Sequence, residues 1–167
     1  MDMRLIFAAL ALAAAVKYQG IKEKLPLAVG PQPVPFSHKQ HAIAGAKCAD
    51  CHVGASAGER ARLPDAARCM VCHIGIKKDS PPIRELARYQ AEGKPVPWVR
   101  VYRVPDFVFF SHARHGKAGV DCLICHGPVP ARDVLQKEVS TSMKYCVDCH
   151  RARKATVECS RCHELGQ

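Results

Sequence analysis

The chain opens with its longest apolar run, Leu5 to Val16 (LIFAALALAAAV), directly after Arg4. At twelve residues this run is short for a membrane span and suits the apolar stretch of a secretory signal. Ala13-Ala14-Ala15 offers a small-x-small cleavage site, so residues 1–15 read as a signal peptide. The competing reading is a short uncleaved anchor, because Asp2 weakens the basic flank and Tyr18 extends the run. A buried helix of a soluble domain is the third reading.

Beyond that run, periodic segments are few. Residues 16–35 carry four prolines and no period, which predicts an extended linker. The stretch VGASAGERARLPDAAR after His52 predicts a loop with at most one helical turn from Pro64. Ser80-Pro81-Pro82 supplies an N-cap and first-turn prolines, Ile83, Leu86, Ala87 and Gln90 follow at helical spacing, and Gly93 stops the pattern. A helix over 81–92 follows from that. From Val96 to Val104, β-branched and basic residues alternate, which predicts an extended, strand-like segment serving as a packing strand or a docking edge. Leu135 to Met143 holds a candidate short helix before Cys146.

The strongest pattern is chemical. C-x-x-C-H occurs at Cys48/Cys51/His52, Cys69/Cys72/His73, Cys122/Cys125/His126, Cys146/Cys149/His150 and Cys159/Cys162/His163, using all ten cysteines. One such cysteine pair leaves zinc ribbons and disulfides open. A histidine after every pair singles out covalent haem: two thiols on one short turn form thioethers to the haem vinyl groups, and the next side chain lies under the iron as its proximal ligand. Five covalently attached haems c are therefore expected. The eight residues between His150 and Cys159 force the last two sites close together.

The chain also repeats. Phe36-Ser37-His38-Lys39-Gln40-His41 and Phe110-Ser111-His112-Ala113-Arg114-His115 lie 74 positions apart, each followed by C-x-x-C-H at the same intervals. These two stretches hold His38, His41, His112 and His115, the four of the nine histidines that the attachment motifs leave over. Two equal pairs at fixed distance upstream of a haem motif argue for sixth ligands, and positions i and i+3 of a helical turn can serve two different irons.

Composition changes the fold expectation. With 6% aromatics, 11 glycines and 12 prolines in 167 residues, a conventional core is hard to build. The porphyrins supply the missing apolar surface, so the expected fold is small and mostly irregular, with short α-helices wrapped around five haems. Boundaries are expected at 36–79 for a dihaem module, 80–104 for a connecting helix and extended segment, and 105–167 for a trihaem module. The formal charge of +10 does not imply nucleic acid. Haem propionates, about two per group, offset most of it, and the dispersed basic residues lack a stacking platform. They suit propionate pairing or an acidic redox partner.

In these motifs the chain resembles the class III multihaem cytochromes, the cytochrome c3/c7 group, over residues 36–52 and 110–163; residues 74–104 lie outside the resemblance. It implies that the first histidine of F-x-H-x-x-H ligates the haem of the following motif and the second a haem further on. Carried over, His38 pairs with His52, His41 with His73, His112 with His126 and His115 with His150. The second half looks like a complete trihaem cytochrome c7 and the first like a truncated copy. The family's further histidine before the second trihaem motif is missing from Ser140-Thr141-Ser142-Met143-Lys144-Tyr145. Met143 is the natural substitute on the His163 haem; Lys144 and an open position compete with it.

The function these readings support is electron transfer, because filled axial positions suit outer-sphere exchange. The expected partners are a quinol-oxidising membrane complex or a periplasmic metalloenzyme on one side and a downstream acceptor on the other. The protein is then a carrier rather than an enzyme, in the periplasm or on the outer face of the cytoplasmic membrane, with the N-terminus as a route to membrane association. Two alternatives remain: reduction of a small oxyanion at an open haem, and an extracellular haem filament.

Overall fold

The computed structural model describes residues 24–164, so the signal or anchor reading of 1–15 lies outside the described residues. Among the described residues seven short α-helices follow one another: α1 (His38–Ile43), α2 (Cys48–Cys51), α3 (Ala66–His73), α4 (Pro81–Ala91), α5 (His112–Lys117), α6 (Cys122–His126) and α7 (Met143–Ala152). Two 3-10 turns, Val129–Ala131 and Cys159–Arg161, complete them. The described residues otherwise form turns and irregular chain, with one isolated antiparallel bridge between Leu27 and Lys137.

Caps place the helix starts. Ser37 Oγ accepts from Gln40 N at 3.1 Å and its repeat partner Ser111 Oγ from Arg114 N at 3.4 Å. Asp65, Asp121 and Ser142 cap α3, α6 and α7 in the same way, satisfying amides that have no intrahelical acceptor. The twin glycines Gly45 and Gly119, at φ +89° and +67°, turn the chain just after α1 and α5. The predicted 81–92 helix is present as Pro81–Ala91, and Gly93 follows it at φ +62°. Before Cys146, regular helix begins only at Met143 and then runs through the attachment motif.

The segment 96–104 is extended but forms no ladder. Pro95, Pro97 and Pro105 remove backbone donors from its neighbourhood. The Gln32 side chain takes the place of a partner strand, donating to Val99 O and accepting from Val99 N, both at 3.0 Å. Residues 28–35 form neither helix nor strand and are packed at Val34, which is 2% exposed.

The buried core of the described residues is Val34, Ala66, Ile83, Leu86 and Val96, with Cys69, Met70, Tyr89 and Trp98 packed against it. It lies where α4 meets α3, so the longest helix among the described residues braces the second attachment motif. The Trp98 indole N–H donates to Pro64 O at 3.0 Å, tying the extended segment to the start of that motif. Leu86→Ala removes a buried side chain from this contact and is expected to cost about 2–4 kcal/mol. A thermal melt of the holoprotein checks it: the midpoint should fall by on the order of 10 °C, and an unchanged midpoint would show that α4 does not brace the fold.

Candidate functional site

All five attachment motifs sit on helical turns. Cys48 and Cys51 bracket α2, and Cys69, Cys72 and His73 form the second half of α3. Cys122 to His126 make up α6; Cys146, Cys149 and His150 lie within α7; Cys159 opens the second 3-10 turn, with Cys162 and His163 just after it. One helical turn separates the two thiols of each motif, the spacing thioether formation needs. All ten thiols are free and none is buried, so they are open to chemistry.

The upstream histidines sit at helix starts, held by the preceding phenylalanine. Phe36 stacks on His41 with ring centroids 4.4 Å apart and meets His38 edge-on at 4.8 Å. Phe110 does the same to His115 at 4.6 Å and His112 at 4.7 Å. Each repeat therefore presents two imidazoles, fixed by one aromatic ring, toward two different neighbours.

Those neighbours are histidines of the C-x-x-C-H motifs. His38 faces His52 with centroids 6.4 Å apart and planes 8° from parallel; His112 faces His126 at 6.4 Å and 11°. His41 stands 6.1 Å from His73 and His115 6.0 Å from His150. Direct ring contact is closer than this. Metal–nitrogen bonds of about 2.0–2.1 Å on both sides set two imidazole centroids roughly 6.3 Å apart, so all four gaps fit a metal held between opposed rings. The histidines and cysteines are not gathered in threes or fours anywhere among the described residues, which is the arrangement a zinc site needs.

The tautomers fit as well. Nδ1 of His52 lies 3.0 Å from Arg62 O, of His73 2.9 Å from Ile76 O, and of His150 2.7 Å from Thr156 O. On the opposite rings, Nδ1 of His41 and His115 meets Ser37 O at 2.7 Å and Ser111 O at 2.8 Å, and Nδ1 of His112 meets Glu59 O at 3.1 Å. A carbonyl accepting from Nδ1–H leaves the Nε2 lone pair bare for a metal. Burial, with His52 and His41 nearby, lowers His38 to about 4. Burial lowers His126 too, with His112 and His52 adding to the effect. Both rings are thus neutral near pH 7, as ligands must be.

The fifth site differs. Phe107 O lies 3.3 Å from His163 Nδ1 and the Phe107 ring 6.0 Å from the imidazole, while Phe109 N donates to Cys162 O at 2.8 Å. Met143, the first residue of α7, is 69% exposed. It stands three residues before Cys146, whose thiol is raised first by burial and next by the Cys162 thiol beside it.

Sequence reasoning did not find Tyr102. Its hydroxyl donates to His126 O at 3.0 Å and accepts from Glu138 N at 3.0 Å and Val139 N at 3.3 Å, and its ring meets the His126 ring edge-on at 4.7 Å. One phenol thus ties a proximal ligand to the chain before the fourth motif; the only trace in the sequence is a tyrosine in an alternating segment. Tyr102→Phe is expected to cost about 1–3 kcal/mol through the unmet amides and to broaden the electron paramagnetic resonance (EPR) signal of the His126 site. A melt that falls with the spectrum unchanged would confine Tyr102 to packing.

Comparison with known proteins agrees with these arrangements. The family described as "Cytochrome c7 and related cytochrome c" matches residues 108–164, and the "Class III cytochrome C family" matches residues 14–94. A menaquinone reductase, multiheme cytochrome c subunit, of Nitratidesulfovibrio vulgaris is 33% identical over 144 residues, covering 79% of this chain and 67% of the relative. With thiols on attachment turns and imidazoles opposed across metal-sized gaps, the chain belongs to the class III and c7 family of multihaem c-type cytochromes, electron-transfer proteins that hold haem covalently.

Proposed function

We propose that this protein is a pentahaem electron-transfer subunit that relays single electrons between a quinol-oxidising membrane complex and a downstream acceptor outside the cytoplasm. The observation that carries this reading is the set of four opposed histidine pairs at 6.0–6.4 Å. In it, His38/His52, His41/His73, His112/His126 and His115/His150 hold iron between them, and the ten motif cysteines anchor the porphyrins. Bound haem supplies the one-electron chemistry. The chain's residues fill both axial positions, set the tautomers and leave substrates no place at those four irons. The kinship to a menaquinone reductase subunit supports a quinone-linked membrane partner. Mass spectrometry of the holoprotein tests the count: about five haem masses should survive acid–acetone extraction, and fewer would overturn it.

For the His163 site the proposed sixth ligand is Met143, whose thioether favours ferrous iron and raises the potential. Met143→His is expected to convert that site to bis-histidine and lower its potential, by on the order of 100 mV or more, leaving the others in place. Potentiometric titration followed by low-temperature EPR reads both changes. A high-spin site that ignores the substitution would instead favour an open iron, and with it a reductase activity.

A further inference from the structure

The 74-residue repeat does more than duplicate a module, because the two copies exchange contacts. Ala113 N, in α5, donates to Gly58 O at 2.8 Å; its repeat partner Lys39 N, in α1, donates to Arg132 O at 3.0 Å, and Arg132 is the repeat partner of Gly58. Each ligand-bearing helix is thus docked on the loop that follows the other module's first attachment motif. His112 N on Glu59 O at 3.0 Å and Ser37 Oγ on Asp133 Oδ1 at 2.7 Å reinforce the two sides. A pair of bonds that maps onto itself when the modules are swapped defines a local two-fold axis.

What lies on that axis is specific. Cys48 and Cys122 are repeat partners, and His112, whose ring faces His126 of the third motif, has its Nδ1 3.1 Å from Glu59 O in the loop after the first motif; burial raises the Cys122 thiol, with Cys48 next in effect. The first and third attachment motifs therefore meet at the dyad.

Within each module the next neighbour is equally plain. A cleft of about 410 Å³ lined by Cys51, Val53, Arg68 and Val71 joins the first motif to α3, which bears the second. The Tyr145 hydroxyl of α7 donates to Ile124 O of α6 at 2.7 Å, joining the fourth motif to the third. Burial raises Cys69, with the Cys51 thiol next in effect; burial raises Cys125, with Cys149 and Cys146 next. The short link after His150 folds back through Ala155 N on His150 O at 2.8 Å, and burial raises the Cys146 thiol of the fourth motif with Cys162 of the fifth next in effect.

Resting on the pentahaem reading, we infer that the five attachment sites are seated in single file in the order second, first, third, fourth, fifth, with the junction between modules where α1 and α5 dock reciprocally about the two-fold axis. The second and third sites, consecutive in sequence, are not neighbours: the connection from His73 to Cys122 spans the file rather than extending it. The ends of the file are the Cys69–His73 and Cys159–His163 sites, and redox partners are expected to approach there.

Nuclear magnetic resonance of the fully reduced holoprotein decides the order, with each haem assigned through the β-protons of its own cysteines. Cross-peaks are expected between substituents of the haem on Cys48/Cys51 and the haem on Cys122/Cys125. None are expected between those of Cys69/Cys72 and Cys122/Cys125. In a stepwise redox titration, the first and third sites should couple at least about twofold more strongly than the second and third, since charge coupling falls with separation. Absence of the first-to-third cross-peaks, or stronger coupling of the second to the third, overturns the order. A haem count below five is read separately by mass, and it would overturn the pentahaem reading and the file together.

Discussion

Produced without haem attachment, for instance with the motif cysteines replaced by serine, the chain is expected to show no cooperative unfolding transition. The reason is how little of it is buried. The hydrophobic core of the described residues is Val34, Ala66, Ile83, Leu86 and Val96, clustered around α3 and α4, so the second half contributes none of it. Large apolar side chains stand open instead: Ile43 at 72%, Val71 at 69%, Ile74 at 74% and Val134 at 74%. Each full burial of such a side chain contributes about 1.5–3 kcal/mol, and here that contribution is withheld until something apolar covers them. Exposed apolar surface on this scale marks a missing partner, and porphyrin attached within the chain is the partner the motifs supply. Far-UV circular dichroism and a thermal melt of the serine variant test this. A sharp transition near that of the holoprotein would show that the polypeptide folds on its own.

The second large effect concerns the upstream ligands. His41→Ala and His115→Ala are each expected to turn one low-spin haem high-spin while all five remain attached. The histidine and both cysteines of each affected motif lie on a different helix, α3 for His73 and α7 for His150. Alanine leaves α1 and α5 their serine caps and a better helix former, so the helices themselves persist. What is lost is one side of a gap now spanned at 6.1 Å from His41 to His73 and 6.0 Å from His115 to His150. EPR at low temperature should show one high-spin signal per substitution, with haem mass unchanged. If His115→Ala instead altered the haem on Cys122 and Cys125, the opposed pairs would not be the ligand pairs.

The attachment motifs and the leftover histidines were legible because they are local: two thiols and an imidazole on one turn need no distant residue to be recognised. The α4 helix was legible for the same reason, through its prolines, its apolar spacing and Gly93. The opposition of His38 to His52 and His41 to His73 entered through a family resemblance, since nothing in the spacing says which ring meets which across space. The strand-like reading of 96–104 met a different limit, because alternation reports a half-buried face and not a hydrogen-bonded neighbour, and a glutamine side chain took the neighbour's place.

By itself, then, the sequence determined the motifs: five C-x-x-C-H turns that use all ten cysteines, and four histidines left outside them. The tertiary structure alone decided arrangement. It set Tyr102 behind His126 and used Glu59 of one module to orient His112 of the other. These contacts join residues 24 and 53 positions apart, each through a backbone carbonyl, a group that every residue carries. A bond to such a group leaves no mark on its residue type, so only the folded chain reveals it.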